Sequence, residues 1–237
     1  MLPMDLTDSA GSTEPRHETP AAPPSPAKKM LLKDTAYQKL KESILSGQFP
    51  PGSFLAERQL TGLLGMSKTP IRAALEHLES EGLVSVSPQQ GIVVRDISPR
   101  EIYDVFDIRY ALEPHVARAL GARHCSEDIA KLREHLAVQE VVYAQNKVLD
   151  ATRLDREFHM MLCELHGNRE IIKVMDQVWD KLFREVVRIL GQKQGRMQAS
   201  ITEHRAIVEA ISSGNGDAAQ AKMLDHINHT KQFFSFQ

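Results

Sequence analysis

The sequence predicts a mainly α-helical protein in two folded parts: three helices closed by a small β-hairpin, then an all-α antiparallel bundle of about six helices. Three observations carry this. Of twelve prolines, Pro3, Pro15, Pro20, Pro23, Pro24 and Pro26 precede Lys28, and none follows Pro114. Long helices need that absence, because proline removes a backbone donor and clashes in a helix interior. Apolar residues recur at helical spacing in both parts, and only the stretch Leu83-Val84-Ser85-Val86-Ser87 alternates as a strand does.

Composition narrows the class. The chain has 237 residues, 42% hydrophobic and 25% charged, as soluble globular proteins do. No apolar run approaches the ~18 residues of a membrane helix. Two cysteines make no disulfide framework, which points to a reducing cytosol. Residues 1–27, rich in Pro, Ser, Thr and Ala with a net charge of −3, read as a disordered tail. Residues 28–97 form the first folded domain and 98–237 the second. A net charge of +2 over residues 28–98 is a weak argument for nucleic acid.

In the first domain Ala36, Leu40 and Ile44 form a helical stripe ended by Gly47, and Pro50-Pro51-Gly52 forces a turn. A second helix runs from about Glu57 to Leu64 and stops at Gly65. Ser67 suits the cap of the third, with Pro70 in its first turn. Ile71, Leu75, Leu78 and Gly82 line its buried side, and Lys68, Thr69 and Arg72 its other side near the start. Pro88-Gln89-Gln90-Gly91 then turns the strand at 83–87 back through Ile92-Val93-Val94. Two helices joined by a tight turn, the second presenting basic and hydroxyl groups, describe a helix-turn-helix; the hairpin is its wing.

Residues 36–94 resemble the winged-helix domain of the GntR family of bacterial transcription regulators. The resemblance lies in Pro51-Gly52-Ser53-Phe54-Leu55, Glu57-Arg58-Gln59-Leu60, the run from Leu64 to Arg72, Leu78-Glu79-Ser80-Glu81-Gly82-Leu83-Val84 and the wing tip. It implies that Arg58, Lys68, Thr69 and Arg72 contact DNA and that Gln90 and Gly91 form the tip entering the minor groove. The chemistry agrees: an Arg72 fork matches guanine O6 and N7, and Thr69 at a helix start suits phosphate. Lys68 stands where the family usually has Arg, which keeps charge and loses the planar fork. Ala56 replaces the usual capping hydroxyl.

The second domain reads as helices at about 99–123, with Pro114 a candidate kink, 126–146, 150–166, 169–190, 197–213 and 217–235, with Asp150, Asn168 and Asp217 as caps. Asp155 and His159 share one helix face. His204 and His226 each lie 11 residues from Asn215 in the last turn, about 16 Å along antiparallel neighbours at ~1.5 Å per residue. One Asp and three His at one level can converge on a divalent ion such as Zn, Ni, Mn or Fe; scattered surface or core histidines are the alternative. Trp179 and Phe183 read as core, His166 and His229 as surface, and Cys125 and Cys163 as inert thiols.

Residues from about 99 to 231 are similar to the FCD effector domain of the FadR branch of that family. The marks are Arg109-Tyr110-Ala111-Leu112-Glu113, Asp155-Arg156-Glu157-Phe158-His159, Gly167-Asn168, Glu203-His204 and His226-Ile227. The resemblance implies a divalent cation on Asp155, His159, His204 and His226, at the base of a pocket for a small carboxylate. It also places Arg109 and Asn168 at that effector. Arg109 serves equally as an ion-pair partner of Glu113 on the bundle surface, and Asn168 as a helix cap. The expected protein is a cytoplasmic, nucleoid-associated bacterial repressor. It binds a pseudo-palindromic double-stranded operator as a homodimer, without membrane contact, and responds to an organic acid. A metal sensor, a regulator braced by its metal, and a metalloenzyme fused to a DNA-binding domain are the alternatives.

Overall fold

The computed structural model describes residues 31–87, 91–192 and 195–234. The tail expected over 1–27, with Gln90 and Pro88 of the wing tip, lies outside them. Among the described residues the chain forms nine helices and one three-stranded antiparallel sheet.

Helix α1 (Leu32–Leu45) buries Ala36, Leu40 and Ile44, the expected stripe. Helix α2 (Glu57–Leu64) buries Leu60 and ends at Gly65, whose φ of 63° is a left-handed conformation that glycine adopts without strain. Helix α3 (Lys68–Ser80) buries Ile71, Leu75 and Leu78. Ser67 stands at its N-cap, but no side-chain hydrogen bond caps the helix, contrary to expectation. The hairpin is β2 (Val84–Ser87) paired with β3 (Gly91–Val94). A third strand, β1 (Phe54–Leu55), was not expected: it pairs with the other edge of β3, Phe54 opposite Val93. Two residues are too few to show a period, so only the fold reveals it.

The bundle helices are α4 (Pro99–Arg123), α5 (Ser126–Ala144), α6 (Val148–His166), α7 (Arg169–Gln192), α8 (Arg196–Ser212) and α9 (Gly216–Gln232). Helix α4 starts from a Ser98–Glu101 capping box and runs through Pro114. Two expected caps shift. Helix α6 starts two residues before Asp150, which lies in its first turn. Asn215, rather than Asp217, caps α9 by accepting from Ala218 N, and Asp217 pairs with Arg118. The start of α9 lies backbone-to-backbone on α4: a Cβ on Gly216 would stand 2.6 Å from the Arg118 carbonyl oxygen. That close approach sets the height of α9, and so of His226.

Two hydrophobic cores result. One centres on Leu40, Leu60, Ile71 and Leu78, the other on Phe106, Phe158, Met175 and Ile207. Phe183 of α7 belongs to the first, with Leu149 and Val187 packed against it. Expected as core, Phe183 is core of the other domain, and α7 is a wall shared by both.

Candidate functional site

Helices α6, α8 and α9 bring His159, His204 and His226 together, with one nitrogen from each within 4.8 Å of the others. All three are at most 1% exposed. The matching-height expectation holds: the His204 and His226 rings are 4.8 Å apart. Asp155, one turn before His159 on α6, is buried beside them. Its Oδ1 stands 3.5 Å from His204 Nε2 and accepts from Ser200 Oγ at 3.2 Å.

Each imidazole is held from behind. His159 Nδ1 is 2.6 Å from Glu113 Oε2, and His226 Nδ1 is 2.7 Å from Glu203 Oε2. His204 Nδ1 is 3.0 Å from Gln139 Oε1. The Gln139 amide cannot face the other way, because its Nε2 donates to the Leu154 carbonyl at 2.8 Å. For His204 and His226 the amide or carboxylate oxygen accepts, so Nδ1 carries the proton and the Nε2 lone pair turns inward. His159 Nδ1 lies close to Glu113 without the alignment of a hydrogen bond. Inside, His226 Nε2 and His159 Nε2 are 3.2 Å apart, and His204 Nε2 is buried without a hydrogen bond. Buried polar atoms are rarely left so, and this orphan among inward lone pairs fits a cation ligated by three nitrogens and Asp155.

Charge is balanced around the ring. Arg109 Nε donates to Glu113 Oε1 at 2.5 Å, and Arg196 grips Glu203 with both nitrogens at 3.1 and 2.9 Å. Burial alone would raise the Glu113 carboxyl, yet Arg109 and His159 outweigh it and hold it far below the carboxylate range. Glu203 is likewise opposed by burial and brought to about 2 by His226 and Arg196. Burial, then the neighbouring imidazoles, pushes His204 well down. Burial takes His226 to about 4, with Glu203 pulling the other way. Both are therefore neutral near pH 7, the form that ligates.

Of the two residues expected at the effector, the structure brings Arg109 to the histidines and leaves Asn168 away from them. Arg109 is at the site, but its fork is engaged with Glu113 inside the bundle, not on its surface; its Nη2 is 3.4 Å from His159 Nε2. Asn168 is exposed, and its Oδ1 caps α7 by accepting from Glu170 N and Ile171 N at 3.0 and 3.2 Å. The cap uses up the acceptor, and the side chain does not join the histidines. Trp179, expected as core, is fully buried with its ring 5.1 Å from that of His159. His166 stacks edge-on against His115, and His229 reaches the ring of groups only through Glu203, at 3.1 Å. Sequence reasoning missed Gln139, Arg196 and the roles of Glu113 and Glu203. The readable signals were Glu113 one turn after Arg109 and Glu203 next to His204.

On the winged helix Arg58, Lys68, Thr69 and Arg72 are all exposed, Lys68 and Thr69 in the first turn of α3. Arg72 is not free: its Nε and Nη2 donate to Glu57 at 2.8 and 3.0 Å. Gly91 opens β3 with a φ of 77°, exposed at the hairpin end.

Two family models match this architecture: bacterial regulatory proteins of the gntR family over residues 32–94, and the FCD domain over residues 104–229. The chain belongs to the GntR family. Among its relatives, a transcriptional regulator in an unstable DNA locus of Streptomyces ambofaciens is 31% identical over 195 residues, 81% of this chain and 80% of that protein. The transcriptional repressor RspR of Escherichia coli (strain K12) is 24% identical over 216 residues, 91% of this chain and 92% of that one. The fold matches E. coli McbR/YncC with a TM-score of 0.75 at 21% identity, over 86% of this chain and 97% of that one. This GntR protein is therefore a DNA-binding transcription regulator with an FCD domain, not an enzyme. No helix among the described residues is long and apolar enough to cross a membrane.

Proposed function

We propose that this regulator is a cytoplasmic repressor. It binds a pseudo-palindromic operator as a homodimer and releases it when a small carboxylate binds at a divalent ion held by Asp155, His159, His204 and His226. The observation that carries the reading is the inward set of buried Nε2 atoms, one of them unsatisfied. Three nitrogens and one carboxylate suit Zn, Ni, Fe or Mn. When bound, the ion supplies a Lewis-acidic position for an anionic ligand.

The residues around the ring favour an anion. Glu113 is neutralised by Arg109 and Glu203 by Arg196, while Gln139 carries no charge. Asp155 is the ligand-side carboxylate, partnered by Ser200 and His204 rather than by a guanidinium. One carboxylate leaves a divalent charge half compensated, and an acidic effector completes the balance. Arg109 Nη2, beside His159, stands where it meets such an anion.

On DNA, Arg58, Lys68, Thr69, Arg72, Gly91 and Gln90 make the contacts. Arg72 exchanges Glu57 for a base edge, a swap between two bidentate partners. Two recognition helices reach half-sites about 34–36 Å apart, and an effector that favours a different placement of them lowers affinity by linkage. The repressor sense has a precedent in RspR.

The complete burial of the three histidines favours a second reading, in which the cation itself is the signal. One experiment separates the two: measure bound metal, then screen organic acids by thermal shift and operator release with wild type and His204→Ala. An acid that releases the operator from wild type alone is expected. Release by metal without any acid supports the second reading, and an acid response in metal-free protein refutes both.

A further inference from the structure

The winged helix and the bundle meet at a buried ionic cluster that no feature of DNA or metal binding requires. Lys41 of α1 donates to Asp180 of α7, to Tyr37 OH at 2.7 Å, and lies 3.2 Å from Glu81 Oε2. Tyr37 OH in turn donates to Glu81 Oε1 at 2.5 Å. Glu81 is the C-cap of the recognition helix α3. The Lys41 and Asp180 side chains are 10% and 3% exposed. Burying two charges is costly and is seldom the most stable solution, so the cluster marks a defined placement of α3 against α7.

The same cluster is tied to the histidine site twice. Arg156 donates to Asp176 Oδ1 at 2.5 Å and lies 3.1 Å from Asp180 Oδ1. It stands on α6 between Asp155 and His159, both of which face the site. On α7, Trp179 immediately precedes Asp180. Its ring lies against His159 and 5.0 Å from the Arg109 guanidinium, whereas Phe183, one turn on, lies in the winged-helix core. Arg153 of α6 adds a bridge to Glu42 of α1. Consecutive residues on two helices thus face the site and the seam in turn.

We propose that Arg156 and Asp180 form the coupling element of this regulator: the state of the histidine site is passed through them to Lys41 and, through Glu81, to the end of the recognition helix. The inference rests on reading the histidines as a metal centre. Ligation ties Asp155 and His159 to α8 and α9. Any adjustment of α6 on ligation displaces Arg156 relative to Asp180, and packed helices respond as units rather than by bending. Arg156 and Asp180 are positioning residues and touch no ligand.

The test is hydrogen exchange read by mass spectrometry on the chelator-stripped full chain, with and without zinc alone. Trp179, the chain's single tryptophan, reports site occupancy by fluorescence. At zinc about 100 times its Kd, exchange in segments that open only in the metal-free form slows by up to about 100-fold. In wild type that slowing is expected in α6, α8 and α9, and also around Lys41 in α1 and Glu81 in α3. Arg156→Gln is expected to keep the fluorescence response and the slowing in α6, α8 and α9 but lose it in α1 and α3. The double variant Lys41→Met with Asp180→Leu removes the two most buried charges together, leaving Glu81 with Tyr37 and His77 and Arg156 with Asp176, and is expected to behave alike. Slowing of α1 and α3 that survives in both variants overturns the proposal. So does a wild type in which only α6, α8 and α9 respond. No response anywhere in wild type refutes the metal centre itself and the coupling with it.

Discussion

The DNA-reading face and the histidine site are built on opposite plans. Arg58, Lys68, Thr69 and Arg72 lie within 15 residues, exposed to solvent on two adjacent helices. The histidine site draws its groups from α4, α5, α6, α8 and α9 across more than a hundred residues and buries them. A polar group on a surface can stand alone, but in a core every donor and acceptor needs a partner. Three imidazoles therefore recruit Glu113, Gln139 and Glu203, and two of those recruit Arg109 and Arg196. Among the described residues of the DNA face, the comparable attachment is the Glu57 clamp on Arg72. Exposed function is a motif; buried function is a network.

Acid is expected to separate the two regions most. His226 titrates near 4 in the folded chain and at its usual 6.5 when unfolded. Between those values the unfolded chain binds the extra proton, so its contribution is full above pH 6.5 and lost as pH falls toward 4. That is on the order of 3 kcal/mol at His226 alone. Glu203, held at about 2 against its usual 4.5, supports the fold above pH 4.5 and ceases to do so as pH falls to about 2. Urea denaturation of metal-free protein from pH 7 to 4 checks the His226 window. A Glu57→Gln variant should show the same slope, and a flat profile would break the contrast.

The next largest effect concerns the groups behind the imidazoles. Glu203→Leu should weaken zinc binding about 10–100-fold, with Glu203→Gln recovering part of the loss because an amide oxygen still accepts. Calorimetric titration reads both, and equal affinities in all three proteins would leave Glu203 without an orienting role. On the DNA face, Arg72→Ala should cost about 1–3 kcal/mol of operator binding and relax one base position, with stability unchanged within about 0.5 kcal/mol. Competition binding against single-base operator variants measures it. Asn168→Ala is the smallest: about 1 kcal/mol of stability from the lost cap and no change in zinc affinity.

These differences also explain what could be read in advance. Helix spacing and the proline-free run located all six bundle helices to within a few residues, because long amphipathic periods are local signals. Counting from Asn215 placed His204 and His226 level because two antiparallel helices share one rise per residue. The orienting partners were out of reach: Gln139 lies 65 residues from His204, and nothing local pairs them. Phe183 looked like bundle core because its period records burial and not which domain buries it. β1 has no period at all, and Asp150 and Asp217 missed the cap positions at Lys147 and Asn215 by three and two residues, the ordinary ambiguity of helix ends.

Zinc binding to the chelator-stripped full chain, followed by equilibrium dialysis, tests the central claim most directly. One ion per chain is expected in wild type and in Arg72→Ala, and none in His204→Ala at the same free zinc. Stoichiometric binding that persists in His204→Ala, or its absence from wild type, would contradict a metal centre at the converging imidazoles.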